Sequence, residues 1–208
     1  MAQVAARTRG SRAALTGIVF IVLVIASFIT GGSTPEIDAS PGEITSYYDE
    51  PKAMIATIML ALAAVVLIFF VGVLRSALRT DGGTADWLPN VAFAGGVVMA
   101  VGLLIFAGLQ LTLVDAVDTL SPAAAEAINA LNIDLFFPVG AGIVTLLMAT
   151  GLSLLRTKVL PIWLAWAGIV IALVAFTPIG FFAFLASQLW ILVTSILLVR
   201  GAGATAQT

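Results

Sequence analysis

Residues 156–200 read RTKVLPIWLAWAGIVIALVAFTPIGFFAFLASQLWILVTSILLVR, and the 41 residues between Lys158 and Arg200 carry no charge. A helix rises about 1.5 Å per residue and the hydrocarbon core of a bilayer is about 30 Å thick, so one crossing needs roughly 20 residues. The stretch is long enough to cross twice, and the sequence TPIG at 177–180 is typical of a turn. Because basic residues favour the cytoplasmic side, the stretch predicts a transmembrane hairpin with both ends in the cytoplasm.

The composition of the whole chain indicates a membrane protein. Hydrophobic residues make up 61% of the 208 residues and charged residues 10%, whereas ordinary globular domains carry about 25% charged residues. The chain has no histidine and no cysteine, which removes the commonest metal ligand, every disulfide and every catalytic thiol. No basic face for nucleic acid is present. We therefore expect no nucleic-acid partner, no cofactor and no metal site.

Other apolar segments repeat the pattern of the hairpin, each ending in charged or turn-forming residues. We predict an all-α fold: a polytopic six-transmembrane-helix bundle that forms a single domain over residues 1–208. The predicted crossings are 13–30, 53–74, 91–114, 135–155, 160–177 and 181–199.

The distribution of charge predicts the orientation of this bundle. With the N and C termini cytoplasmic, eight of the nine basic residues face the cytoplasm and only Lys52 faces outward. Nine of the eleven acidic residues then face outward, the exceptions being Asp81 and Asp86. Since the bias of Lys and Arg sets the orientation of membrane helices, we expect a multi-pass protein of a bacterial plasma (inner) membrane.

The start of the chain allows two interpretations. Arg7, Arg9 and Arg12 precede the first apolar run, as they would in a secretory signal peptide. The run is longer than the 7–15 apolar residues usual in a signal peptide, and no clean A-x-A cleavage site follows it. We therefore favour an uncleaved first helix, with a cleaved signal peptide as the alternative.

Two short helices are predicted in the outer loops. The sequence SPGE at 40–43 places a serine at an N-cap, a proline at the first helical position and a glutamate three residues after the cap. Ser121 and Pro122 repeat the cap and the first position. The second short helix would carry Ala124, Ala125, Ile128 and Leu131 on one face.

Small residues recur at a spacing of four in several crossings. Membrane helices associate by close backbone approach, which small residues permit. The clearest stripes are Ala92, Gly96 and Ala100; Ala141, Thr145, Ala149 and Ser153; and Gly168 with Ala172. We interpret them as packing faces inside the bundle, with a homo-oligomer interface as the alternative.

Ionisable residues all fall at helix ends or in loops, which argues against a proton relay or a charged ion site at mid-membrane depth. Four polar residues inside crossings form a candidate polar pocket: Gln110, Gln188, Trp190 and Ser195. Gln188 and Ser195 are seven residues apart and so share one helix face. The simpler interpretation is that these four residues form hydrogen bonds between helices. The alternative is that they line a pocket for a lipid headgroup or a small solute.

A second candidate site is an acidic rim on the outer side formed by Asp115, Asp118 and Asp134. Carboxylates can bind a hard cation or act as an acid–base pair. The spacing matches no calcium-binding loop, and acidic outer loops follow from the topology alone. We therefore predict no metal site and no catalytic residue here.

Several segments resemble a family of small actinobacterial integral membrane proteins that carry a domain of unknown function. The segments are 43–48 (EITSYY), 155–166 (LRTKVLPIWLAW), and Leu189-Trp190 followed by Val193, Ser195 and Arg200. The resemblance implies a six-helix membrane fold and supplies no activity or catalytic residue.

The function that we expect from these features is that of a non-enzymatic accessory, scaffold or lipid-contacting subunit. Its expected partners are membrane lipid and another membrane protein subunit or a second copy of the chain. The alternative is a substrate-binding membrane component of a transporter, with a pocket open to the outside near Gln110, Gln188 and Trp190. A membrane enzyme that uses the outer-loop carboxylates is a third, weaker hypothesis.

Overall fold

A computed structural model of the chain describes residues 13–79, 87–116, 118–134, 136–175, 177 and 180–204. These ranges are helical and contain no strand, which confirms the all-α prediction. The helices are α1 (Leu15–Gly31), α2 (Pro41–Tyr48), α3 (Pro51–Leu78), α4 (Trp87–Ala116), α5 (Pro122–Asp134), α6 (Phe136–Thr157), α7 (Ile162–Val174) and α8 (Gly180–Ala204).

Four apolar helical segments of the described chain are long enough to cross a membrane: Pro51–Leu78, Trp87–Ala116, Pro122–Thr157 and Gly180–Arg200. The prediction of a helical membrane bundle is therefore confirmed at this level. The apolar helices α1 and α7 are shorter, with 17 and 13 residues. The six-crossing count and the positions of the termini stay predictions, and Arg7, Arg9, Arg12, Asp81 and Asp86 lie outside the described residues.

Helix α7 is shorter than the predicted crossing at 160–177. It begins after Pro161 and ends at Val174, and the N–H of Thr177 then donates to the Val174 carbonyl at 3.0 Å. Thirteen residues rise only about 20 Å, less than the thickness of a hydrocarbon core. The break between α7 and α8 falls at the predicted turn, although Pro178 and Ile179 lie outside the described residues.

The six apolar helices form a closed ring in which consecutive members are antiparallel. Helix α3 packs on α1 and on α4, α6 packs on α4 and on α7, and α8 packs on α7 and returns to α1. Side chains with no exposed surface fill the interior of this ring, among them Phe20, Leu67, Phe70, Met99 and Ile191. This layout places every helix end at one of two opposite ends of the ring.

The closest helix approach, between α4 and α6, is made by glycines. A Cβ at Gly95 would collide with the backbone nitrogen of Leu146, and a Cβ at Gly142 would collide with the backbone of Met99. A Cβ at Gly102 would stand 2.9 Å from the backbone nitrogen of Val139. Backbone-to-backbone packing of this kind is how helices associate in lipid.

Helix α4 in fact has two small faces, of which the sequence analysis recognised one. Gly96, from the predicted stripe, packs against Val71 of α3. The neighbouring face with Gly95 and Gly102 packs against α6. The stripe at a spacing of four was found because its members are all small, whereas Met99 interrupts the second face.

The short helices α2 and α5 pack on each other over one end of the ring. The predicted capping box is present: Ser40 Oγ accepts from the Glu43 N–H, and the Glu43 carboxylate accepts from the Ser40 N–H at 2.8 Å. Ser121 Oγ likewise accepts from the Ala124 N–H at 3.3 Å. These caps explain why two short helices form outside the apolar segments.

The buried face of α5 matches the predicted apolar face only in part. Ala125 is buried and Ile128 packs against the cluster around Ile44 and Tyr48. Leu131 is 49% exposed, however, and Asn129 and Asn132 are buried in addition. Asn129 turns inward because its amide donates to the Glu36 carbonyl at 2.8 Å and so fastens the preceding loop to α5. A specific hydrogen bond has overridden the hydrophobic pattern.

Charges of opposite sign collect at the two ends of the ring. Arg75, Arg79, Arg156, Lys158 and Arg200 lie at the end where α3, α6 and α8 finish. The Arg75 guanidinium donates to Asn90 Oδ1 at 2.8 Å and stands 5.7 Å from the centre of the Phe93 ring. The opposite end carries α2, α5 and the acidic residues of both loops.

The α4–α6 contact can be tested with two alanine substitutions in one helix. Gly95→Ala places a Cβ against the α6 backbone, and overpacking of this kind costs about 1–3 kcal/mol. Gly108→Ala meets nothing within 4 Å and should gain up to about 1 kcal/mol of helix propensity. Thermal unfolding in a mild detergent should therefore move in opposite directions, and equal midpoints would contradict this packing.

Candidate functional site

The four residues of the predicted polar pocket lie at different helix interfaces. Gln110 Oε1 accepts from Thr57 Oγ1 at 3.2 Å, between α4 and α3. Trp190 Nε1 donates to the Leu164 carbonyl at 2.9 Å, between α8 and α7, and its indole lies over Gly168. Ser195 packs against Gly17 of α1. Gln110 therefore hydrogen-bonds to α3, while the other three residues lie on α8.

Two polar atoms on α8 are buried without a hydrogen-bond partner, namely Gln188 Oε1 and Ser195 Oγ. The amide nitrogen of Gln188 is 3.4 Å from the Phe184 carbonyl and 3.3 Å from Ser187 Oγ. A buried polar atom left unpaired costs about 1–3 kcal/mol. These atoms lie on the α8 face that the seven-residue spacing predicted.

The three aspartates of the predicted acidic rim are exposed and lie on different parts of the loop. Asp115 is in the last turn of α4, Asp118 is in the turn after it, and Asp134 is the last residue of α5. Across the described ranges, no group of three acidic side chains is arranged to hold a metal ion. Asp134 lines a cavity.

That cavity is a groove of about 490 Å³ on the side of the bundle, which we call the lateral groove. One wall is the start of α6, with Phe136, Phe137 and Gly140. The opposite wall is the turn between α7 and α8 together with Phe181. Phe137 is 68% exposed and Phe181 is 56% exposed, so the groove opens on the outer surface of the ring.

Aromatic contacts fix the inner wall of the lateral groove. The Phe136 ring meets Phe184 of α8 edge-on, with 5.1 Å between the ring centres, and Phe106 of α4 at 6.4 Å. Phe184 in turn contacts Phe28 of α1 at 6.2 Å. Edge-to-face pairs contribute about 0.5–1.5 kcal/mol each beyond burial, so four helices hold the wall in place.

The α7–α8 turn gives the lateral groove a polar side. A Cβ at Gly140 would stand 3.9 Å from the Ala175 carbonyl oxygen, and one at Gly180 would stand 2.6 Å from it. Gly180 is therefore required for α8 to start this close to the end of α7. Ala175, Thr177 and Gly180 all line the groove on this side.

The lateral groove was not predicted because its lining residues come from two stretches that are distant in the sequence, within 133–143 and 175–181. Asp134 was identified, but as part of a rim with Asp115 and Asp118. The available signal was aromatic: pairs of phenylalanines stand at 136–137 and 181–182, at the starts of two helices that the predicted topology begins on the same side of the membrane. The unexpectedly short α7 supplies the rest of the groove.

A second, more polar groove of about 450 Å³ lies beside α2 and includes Glu36, Asp38, Glu43 and Tyr47. Glu43 is already occupied as the capping residue, and its hydrogen bonds from the Ser40 backbone and hydroxyl lower the pKa of the carboxyl. One of the acidic residues of this groove is therefore already used to cap α2.

Behind this groove, Tyr48 is buried with Ile44, Ala53, Leu113 and Ala125, and its hydroxyl has no hydrogen-bond partner. Burial, and secondarily the neighbouring Tyr47, raises the pKa of the Tyr48 phenol well above its usual value.

Comparisons of the chain with protein-family models, curated proteins and solved structures found no match. The family resemblance given by segments 43–48 and 155–166 therefore stays a prediction.

The Tyr48 environment gives a pH-dependent prediction. The folded chain keeps this phenol protonated while the unfolded chain loses the proton near pH 10, so the free energy of unfolding falls as the pH rises above about 10. Tyr48→Phe removes an unpaired buried hydroxyl and should stabilise the protein by about 1 kcal/mol. It should also weaken the alkaline decline in thermal midpoint between about pH 9 and 11. A Tyr48→Phe decline parallel to that of the unmodified chain would contradict the prediction.

Proposed function

We propose that this chain is a non-enzymatic, multi-pass protein of a bacterial plasma membrane that holds a membrane lipid in its lateral groove. It would act as an accessory or scaffold subunit, with six crossings and both termini in the cytoplasm. The observation that carries the proposal is the lateral groove, a cavity with aromatic residues on one wall and a polar edge that opens on the surface of the ring.

The size and position of the lateral groove suit part of a lipid. Sites for small ligands enclose about 300–1,000 Å³ and are lined mainly by apolar side chains, and the groove encloses about 490 Å³. Phe137 and Phe181 are exposed at its mouth, on a surface that acyl chains would cover in a membrane. A ligand would therefore enter sideways, from the bilayer.

The six-crossing topology is supported by the antiparallel ring. Helix α7 is too short to cross alone, but α7 and α8 form a hairpin whose basic ends, at Lys158 and Arg200, lie on the same side as Arg75 and Arg156. Under the positive-inside bias this side is cytoplasmic. Helix α8 has 21 residues from Gly180 to Arg200, which is long enough to bring its start to the outer side of the membrane.

Other functions have less support among the described residues. The transporter alternative relied on a pocket near Gln110, Gln188 and Trp190. Gln110 and Trp190 hydrogen-bond within the protein, and none of the three lines the lateral groove. The enzyme hypothesis relied on the outer-loop carboxylates, of which Asp134 lines the lateral groove while Asp115 and Asp118 do not. The chain also has no histidine and no cysteine to act as a base or nucleophile.

The orientation can be tested with single cysteines, because the chain contains none. Ser46→Cys in α2 and Ser76→Cys in α3 exchange exposed serines without changing any charge. In intact cells a membrane-impermeant maleimide should label the Ser46→Cys protein alone, and both proteins after permeabilisation. Labelling of Ser76→Cys in intact cells would overturn the proposed topology.

The lipid role can be tested by filling the lateral groove. Gly140→Phe places a ring in it, whereas Gly108→Phe places the same ring on a part of α4 where nothing lies within 4 Å. Native mass spectrometry after extraction in a mild detergent should show bound lipid on the unmodified and Gly108→Phe proteins. The bound fraction should be several-fold lower for Gly140→Phe. Equal lipid retention by all three proteins would refute a lipid site in the groove.

A further inference from the structure

We infer that the lateral groove selects a lipid with an amine headgroup, and that Asp134 is the residue that recognises it. This inference rests on the proposed lipid-binding function and names the chemical class of the ligand. It comes from the charges along the groove, since a cavity that only held acyl chains would need none.

The first charge is the carboxylate of Asp134, at the outer edge of the lateral groove. The side chain is exposed, and none of the salt bridges recorded for the described residues involves it. Its helix α5 places it next to Phe136 of α6, where the aqueous loop meets the apolar wall. A carboxylate at that depth favours a cation at the level of lipid headgroups.

The second negative feature is the C-terminal end of α7. The last carbonyls of a helix carry the negative end of its macrodipole, equivalent to about half an elementary charge. Ala175, which follows α7, and Thr177 both line the lateral groove on the side opposite α6. The Ile171, Ala172 and Val174 carbonyls already accept hydrogen bonds from Ala175 and Thr177. A ligand in the groove therefore meets the Asp134 carboxylate at one edge and the Ala175 carbonyl on the other wall.

The described lining residues include no lysine or arginine that would neutralise these groups or attract a phosphate. Lys52, a basic residue at the same end of the bundle, is 2.8 Å from the Glu50 carboxylate and 5.9 Å from the centre of the Tyr47 ring. The groove therefore favours the positive part of a headgroup.

The aromatic lining strengthens the same preference. Phe136, Phe137 and Phe181 contribute to the walls, and the faces of aromatic rings attract ammonium groups within about 6 Å. An ammonium beside Asp134 would have a carboxylate and ring faces around it. The acyl chain of the same lipid would follow the apolar wall between α6 and α8, so we assign the ligand to the membrane rather than to the aqueous phase.

The experiment compares Asp134→Asn with Asp118→Asn, which removes an aspartate of the same loop that lies outside the lateral groove. Each full-length protein is placed in nanodiscs of equal parts phosphatidylethanolamine and phosphatidylglycerol with identical acyl chains, extracted mildly, and its retained lipid is weighed by native mass spectrometry. The unmodified and Asp118→Asn proteins should retain the amine lipid preferentially. Asp134→Asn should lower that preference about two- to fivefold, as expected for an ion pair at a water-exposed position, while total lipid stays constant.

The outcomes separate the two proposals. Lipid retained without headgroup preference, or a preference that survives Asp134→Asn, overturns the amine assignment and leaves the lipid groove standing. Lipid retention that Gly140→Phe does not lower overturns both. If soluble phosphoethanolamine displaces the lipid from the unmodified protein, the site belongs to a free amine and the assignment to a membrane lipid is wrong.

Discussion

The contact between α4 and α6 is the constraint on which the bundle depends. Lipid tails are as apolar as the side chains of membrane helices, so no hydrophobic effect drives these helices together. They associate instead through close packing and hydrogen bonds between them. At Gly95 and Gly142 the two backbones come so close that even a methyl group would collide. The other helices pack outward from this pair, α3 against α4 and α7 against α6. The ring and the lateral groove both take their positions from it.

The lateral groove lies beside the early end of α7. Helix α7 has 13 residues and ends at Val174, whereas α8 begins at Gly180 and is long enough to span a membrane. Ala175 lies opposite Gly140, and a groove remains between the end of α7 and the residues of α5 and α6 that face it. A Phe residue from each of α1, α4, α6 and α8 then braces the inner wall. A short helix has produced a shaped and rigid cavity.

Much of the fold could be predicted from the sequence because its causes are local. Uncharged runs of about 20 residues predict membrane helices, and Ser40 with Glu43 predicted a capped short helix that the structure contains. The site could not be predicted in the same way, because it depends on pairing between distant segments. Asp134 and Asp118 look alike in the sequence, since both are aspartates of the same predicted outer loop. Only Asp134 lines the lateral groove, because residues after α7 pack on the other side of it. The small face of α4 at Gly95 and Gly102 also escaped notice, since one methionine breaks its pattern.

Closure of the ring has a consequence for synthesis. The first apolar helix, α1, packs against the last, α8, where Gly17 leaves room for the Ser195 side chain. Chains fold from the N-terminal end as they emerge from the ribosome, so α1 meets α8 only after the four intervening apolar helices have been made. Until then the side of α1 with Gly17 lacks its α8 neighbour. Closure of the ring therefore requires a late docking of α8 against α1.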